Sequence, residues 1–240
     1  PLFLLLIFLF SRLEAIFLKV HAQENLWGTL WQPIVTEALR LSVVTSLSSL
    51  CLAGVLGTPL AYLLARRRFR GAALLDTLID LPMVMPPTVA GVALLMAFGR
   101  RGVLGAWFDV IGIQISFTTF AVVLAQSFVS IPFYIRAARA GFQSVDQELE
   151  RVAYTLGHAP LSVFLRVTVP LAFPALLGGA VMAWARALGE FGATIMFAGN
   201  FLGRTQTMPL AIYSAMESDL TAALVLSAIL IVVSFSVLFG

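Results

Sequence analysis

Between Arg40 and Arg66 the chain runs for 25 residues without a charged side chain. A hydrocarbon layer is crossed by about 20 apolar residues in helical form, so a run of this length is matched to lipid rather than to a water-soluble core. Composition agrees: 60% of the 240 residues are hydrophobic and the mean hydropathy is +0.98, well above a soluble domain. Lipid supplies no water to unpaired backbone groups, which leaves helices and closed barrels as spanning elements. The apolar runs here are continuous rather than alternating, so the fold class is all-α and the chain a polytopic membrane protein.

The hydropathy pattern predicts about six transmembrane helices, at 2–18, 39–65, 82–98, 117–138, 171–188 and 220–238, in a single transmembrane domain over 1–240. The chain starts at Pro1 within one apolar run and stops at Gly240 within another, and it reads as a piece of a longer protein. The first run has no basic start and no small-residue cleavage site before His21, which favours a span over a signal peptide. Arginines set the orientation, because cytoplasmic loops collect Lys and Arg. Arg66, Arg67, Arg68 and Arg70 follow the second span, and Arg136, Arg139, Arg151 and Arg166 follow the fourth. The alternate loops carry only Lys19, then Arg100 with Arg101, then Arg186 with Arg204. Both chain ends are thus expected in the cytoplasm. The formal charge of +3 follows from this asymmetry and does not imply nucleic-acid binding.

Several kinds of chemistry are excluded by missing residues. Lys19 is the only lysine and lies in no glycine-rich loop, so the chain holds no phosphate-binding loop of the GxxxxGK[ST] kind. Cys51 is the single cysteine, which excludes an intramolecular disulfide and a multi-cysteine zinc site, and inside a span it is expected to be a buried packing residue. The two histidines, His21 and His158, fall in loops predicted on opposite sides of the membrane, which argues against an intramembrane serine protease dyad.

The polar segment 150–170, ERVAYTLGHAPLSVFLRVTVP, interrupts this apolar landscape. Leu149, Val152, Ala153 and Leu156 recur at helical spacing, opposite a face carrying Glu148, Glu150, Arg151 and Thr155. Ser144 with Gln147 suits a capping box, Gly157 a left-handed stop and Pro160 the first turn of another helix. Periodicity alone admits two roles for this amphipathic helix: lying on the membrane surface, or docking on another protein.

Arg151, Val152, Ala153, Gly157, Val167, Val169 and Pro170 together resemble the EAA loop of ATP-binding-cassette (ABC) importer permeases. Arg151 stands at that family's glutamate position with Glu150 one residue earlier, and Val169 replaces a leucine. The resemblance implies a type I ABC importer permease fold in which Glu150, Arg151, Val152, Ala153, Gly157, His158 and Pro170 couple the chain to a separate ATPase. On that expectation Gly157→Pro or Ala153→Arg uncouples ATP hydrolysis from transport.

A narrower resemblance rests on LPMVMPPTVAG at 81–91, GRRGVLG at 99–105, RALGEFGATIMFAGN at 186–200 and TQTMPLAIY at 205–213. These are similar to the molybdate and tungstate (ModB-type) branch of the permeases, with sulfate and thiosulfate permeases as close relatives. An arginine within a span costs about 2.5–3.5 kcal/mol on insertion scales and needs a partner. Glu190, four residues after Arg186, is its natural partner, anchoring the outer end of the fifth span. Arg186, Glu190, Thr194 and Thr88 are also candidates for the anion path. Gly54, Gly57 and Pro59 are expected to interrupt the second span, Pro82, Pro86 and Pro87 to crowd the third, and Pro132 to break the fourth.

The resemblance further implies a homodimer with the pore on its two-fold axis, two ABC ATPase subunits, an extracytoplasmic oxyanion-binding protein, and no cofactor on this chain, with ATP and magnesium held by the ATPase. The chain itself is then a transport subunit and not an enzyme. A secondary transporter or channel would instead offer intramembrane carboxylates for ion coupling or an inverted repeat, and neither stands out.

Overall fold

A computed structural model describes residues 30–67 and 69–239, together with Glu14, Leu18 and Gly28. The expected span at 2–18, apart from Glu14 and Leu18, and Lys19, His21 and Arg68 lie outside the described residues. Every regular element among the described residues is helical: α1 (Pro33–Arg66), α2 (Ala72–Val84), α3 (Pro87–Phe98), α4 (Gly105–Val110), α5 (Thr119–Ser144), α6 (Gln147–Thr155), α7 (Pro160–Leu188), α8 (Gly192–Ala198), α9 (Met208–Ser218) and α10 (Leu220–Phe239).

Three of these, α1, α5 and α7, are single helices long and apolar enough to cross a membrane. The expected span at 82–98 is not one rod. α2 and α3 meet at 117° across Met85 and Pro86. The physical reason is local: Pro87 fixes the first position of a new helix and restricts the residue before it to extended backbone, and Pro86 has ψ 133°. Pro59 and Pro132, by contrast, sit inside uninterrupted helices. Pro132 is buried beside Tyr134 and Ile135, where tertiary contact holds the helix through the missing hydrogen bond, whereas Pro59 lies on the exposed face of α1, between the buried Gly57 and Ala61. Helix α5 also runs six residues beyond the expected 138, so Arg136 and Arg139 belong to it rather than to a loop. They pair with Asp80 and Asp76 of α2. Cys51 is exposed on the single chain rather than buried, because α1 turns its small residues, Ser46, Ser49 and Ala53, inward.

Helix α5 is the hub. Tyr134, Ile135, Ala138 and Phe142 pack with Ala53 and Ala61 of α1 and with Ala172, Leu176 and Ala183 of α7. Its other end, Ala121, Val122, Ala125 and Val129, packs with α3 and α8. Between membrane helices there is little hydrophobic driving force, so close backbone approach and hydrogen bonds decide the packing. Both are present. A Cβ on Gly179 would stand 2.7 Å from Ala137 Cβ, and one on Gly141 2.5 Å from Ala175 Cβ. Ser49 Oγ lies 2.9 Å from Val123 O and 2.8 Å from Ser127 Oγ, and Trp184 Nε1 donates to Ser46 Oγ at 2.8 Å.

The contrast between adjacent glycines makes a test. Gly179→Leu is expected to force α5 and α7 apart at a cost of about 1–3 kcal/mol. Gly178→Leu should be silent, because nothing lies within 4 Å of its Cβ position. Thermal unfolding in detergent distinguishes them; equal midpoints for the two variants would remove the glycine contact from the packing account.

Candidate functional site

Helix α6 is built by signals close to it in sequence. Its N-cap is Asp146, whose Oδ1 accepts from Glu148 N at 2.9 Å. This corrects the expected Ser144–Gln147 box: α5 extends through Ser144, whose hydroxyl instead donates to Gly141 O at 2.8 Å. At the other end Gly157 takes φ +84°, Gly157 N donates to Tyr154 O at 3.0 Å and His158 N to Ala153 O at 3.2 Å, the paired bonds of a Schellman stop. Pro160 then opens α7 at its first position. Within α7, residues Phe164–Thr168 form a π-helical turn.

The apolar stripe of α6 faces outward. Leu149, Val152 and Leu156 are 48%, 56% and 73% exposed, whereas Ala153 is 8% exposed. Ala153→Arg would therefore disturb packing as well as docking, and Val152 and Leu156 are the cleaner probes of the surface. With His158, Arg166, Val167, Pro170 and Leu171 this stripe lines an apolar depression of about 460 Å³. Arg151 stays at the exposed rim, its Nη1 2.6 Å from Glu148 Oε1. The structure thus gathers Val152, Ala153, His158 and Pro170 around one depression and places Gly157 at the turn beside it.

Glu150 goes the other way. It is 6% exposed and its Oε1 accepts from Arg66 Nη2 at 2.7 Å and from Thr168 Oγ1 at 2.7 Å. Arg66 Nη2 also donates to Val145 O at 3.1 Å. One carboxylate thereby ties α6 to the end of α1, to the α5–α6 junction and to the π-turn of α7. Nearby, Tyr62 packs edge to face on both Phe164 and Phe142, with ring centroids 4.8 Å and 5.5 Å apart. A buried ion pair must be well satisfied to offset its desolvation; Arg66 Nη2 and Thr168 Oγ1 serve the carboxylate, while Arg66 Nε is left without a partner. Sequence reasoning places Glu150 on the polar face of α6 but does not reveal Arg66 or Thr168 as its partners.

The second candidate group centres on Glu190. Arg186 Nη1 stands 2.7 Å from Glu190 Oε2, as the four-residue spacing predicts. Glu190 Oε1 accepts from Ala193 N at 2.8 Å, so the same carboxylate caps α8 while being 1% exposed. Thr194 is fully buried on α8 and its Oγ1 has no hydrogen-bond partner among the described residues. Thr88 is exposed on the first turn of α3 and its backbone abuts Gly192, where a Cβ would lie 3.1 Å from Thr88 N and 2.8 Å from Pro87 Cβ. Gly91 makes the matching approach from α3, its Cβ position 2.7 Å from Ala193 O. Thr88, Glu190 and Thr194 are therefore brought to one α3–α8 contact. Arg186 is charge-balanced at its edge.

Among the described residues no group of three or more His, Cys, Asp or Glu side chains could hold a metal ion. What the geometry offers is a presented helix and a set of close helix contacts. Residues 57–240 match the family described as binding-protein-dependent transport system inner membrane component. The chain belongs to that family.

Relatives within it agree. The molybdenum transport system permease protein ModB of Mycobacterium tuberculosis is 44% identical over 235 residues, covering 98% of this chain and 89% of that protein. A probable sulfate transport system permease protein, cysT, of Nephroselmis olivacea is 34% identical over 207 residues, 86% of this chain and 73% of that one. A solved bacterial alginate ABC transporter in complex with its alginate-loaded periplasmic protein shares the fold at a TM-score of 0.76 and 15% identity, over 98% of this chain and 88% of the matched chain. As a permease of this family the chain is a transport component and not an enzyme. The all-α membrane fold expected from hydropathy, and the importer permease fold that the resemblance implied, are the fold observed.

Proposed function

We propose that this permease forms the translocation path of an ATP-driven importer for molybdate and tungstate, working as a homodimer in the cell inner membrane with both chain ends in the cytoplasm. Two ABC ATPase subunits dock on the α6 surfaces, and an extracytoplasmic oxyanion-binding protein delivers the anion. ATP and magnesium are held by the ATPase; the permease binds neither.

The observation that carries this reading is the two-faced α6. Its outer face is an exposed apolar stripe, and its inner face is tied through Glu150 to α1 and α7, with Arg66 also bonded to the α5–α6 junction. A helix presented this way moves with whatever grips it and passes that displacement into α1, α5 and α7. Two ATPase states with different grip on α6 bias the pore between inward and outward forms, since a ligand shifts a conformational equilibrium only by its difference in affinity for the two. Arg186, neutralised by Glu190, attracts an oxyanion weakly, which suits a path that must release what the receptor supplies. Identity to the molybdenum permeases, 44% against 34% for the sulfate relative, favours molybdate over sulfate as cargo.

Hydrolysis by the purified permease–ATPase complex tests the assignment. Receptor loaded with molybdate or tungstate is expected to stimulate it severalfold, and sulfate-loaded receptor to leave it at the basal rate. Equal stimulation by sulfate would move the permease to the sulfate branch, and hydrolysis indifferent to any loaded receptor would end the importer reading.

A further inference from the structure

The arginine run that follows α1 has a structural consequence separate from orientation. Where α1 ends, a half-open cavity of about 400 Å³ lies between the end of α1, the start of α2, the last turns of α5 and the first residue of α6. Arg66, Arg67, Arg139, Gln143 and Gln147 line its polar side, Leu64 and Phe69 its apolar side, and no carboxylate lines it.

We infer that this cavity binds the headgroup of an anionic phospholipid, with the phosphodiester held by Arg67 and the guanidinium edges of Arg66 and Arg139. Charge fixes the class of ligand. Arg66 is balanced by Glu150 and Arg139 by Asp76, whereas Arg67 makes no ion pair among the described residues. Helix α2 adds its N-terminus at the rim, where Gly71 leaves the first turn without a side-chain cap and Ala72 lines the cavity. That end contributes about half a positive charge. The N-terminus of α6 contributes none, because Asp146 already caps it. The unbalanced charge is thus between one and two, matched to a singly charged phosphodiester.

The binding groups are prepared. Arg66 has a side chain only 10% exposed, and its Nε, like that of Arg139, is buried with no hydrogen-bond partner. An unmade hydrogen bond on a charged group is costly, and an acceptor brought in by a ligand would satisfy it after a small side-chain rotation. The mixed lining identifies the source of the phosphate. Leu64 and Phe69 give the cavity an apolar wall continuous with the membrane span, while the arginines stand at the level where α1 leaves the apolar layer. Basic pockets between membrane helices on the cytoplasmic side are suited to anionic headgroups in this way. A lipid seated here contacts the same Arg66 that holds Glu150, so occupancy would stiffen the anchor of α6. The inference rests on the proposed orientation, which puts this end of α1 at the cytoplasmic face, and it stands or falls independently of the cargo.

Native mass spectrometry of the delipidated permease–ATPase complex tests it, with dioleoyl phosphatidylglycerol or dioleoyl phosphatidylcholine added back. The wild type is expected to retain phosphatidylglycerol about tenfold over phosphatidylcholine. Combining Arg67→Gln with Gln143→Leu should abolish that preference, while Arg70→Gln, which removes an equal charge outside the cavity, should keep it. Equal retention of the two lipids by the wild type, or an unchanged preference in the double variant, would overturn the site. Loss of the wild-type preference on adding millimolar inorganic phosphate would assign the cavity to a soluble oxyanion and overturn the lipid.

Discussion

Leu156→Arg is expected to abolish ATP-driven transport while leaving the membrane domain as stable as the wild type. Leu156 is 73% exposed at the end of α6, so an arginine there can extend into solvent from the rim of the depression, and surface substitutions of this kind change stability by about 0.5 kcal/mol or less. Placed against an ATPase, the same guanidinium would be buried in an apolar contact. Central interface residues of this sort cost about 2 kcal/mol or more when replaced, which is more than tenfold in affinity. Co-purification with the ATPase and thermal unfolding of the permease alone separate the two effects. Retained ATPase binding by Leu156→Arg would show that the stripe serves the membrane surface instead, the other role that its periodicity allows.

Glu150→Ala tests the inner face of the same helix and carries the largest expected loss of stability. It leaves Arg66 buried with its charge uncompensated and Thr168 Oγ1 without its acceptor. Breaking a buried pair from one side costs about 3–5 kcal/mol, whereas replacing both partners by apolar groups of similar volume is often neutral. The double change Glu150→Leu with Arg66→Met is therefore expected to recover the unfolding midpoint that Glu150→Ala loses. It should not recover coupling: ATPase would still bind α6, but hydrolysis would continue without uptake, because the tie from α6 to α1 and α7 is gone. Full transport by the restabilised double variant would reduce the Glu150 contact to a packing feature.

The legible parts of this protein are those whose causes are local. Apolar runs announce their solvent whatever the tertiary fold, so α1, α5 and α7 stand out from hydropathy alone. Gly157 and Pro160 are readable because a left-handed stop and a first-turn proline act within a few residues. Boundaries are harder. The capping role falls to Asp146 because α5 continues through Ser144, and that continuation depends on Gly141 and Phe142 packing against α1 and α7. Pro132 misleads for the same reason, since its burial among neighbouring helices keeps α5 helical through a residue that removes a hydrogen bond. The 117° turn at Pro86 is half visible: three prolines signal trouble there, but not its geometry. The Arg66–Glu150 pair is hidden altogether. Its members are 84 residues apart, and nothing in the sequence of either helix says that the end of α1 will meet the start of α6. Arg186 and Glu190, four residues apart on one chain, need no such knowledge.

The most direct test of the account is uptake of labelled molybdate into proteoliposomes holding the permease, its ATPase and its receptor, with excess tungstate or sulfate as competitor. Uptake that requires ATP, is abolished by tungstate and is untouched by sulfate is the expected result. Uptake that proceeds without ATP would contradict the coupling role of α6, and strong competition by sulfate would contradict the cargo.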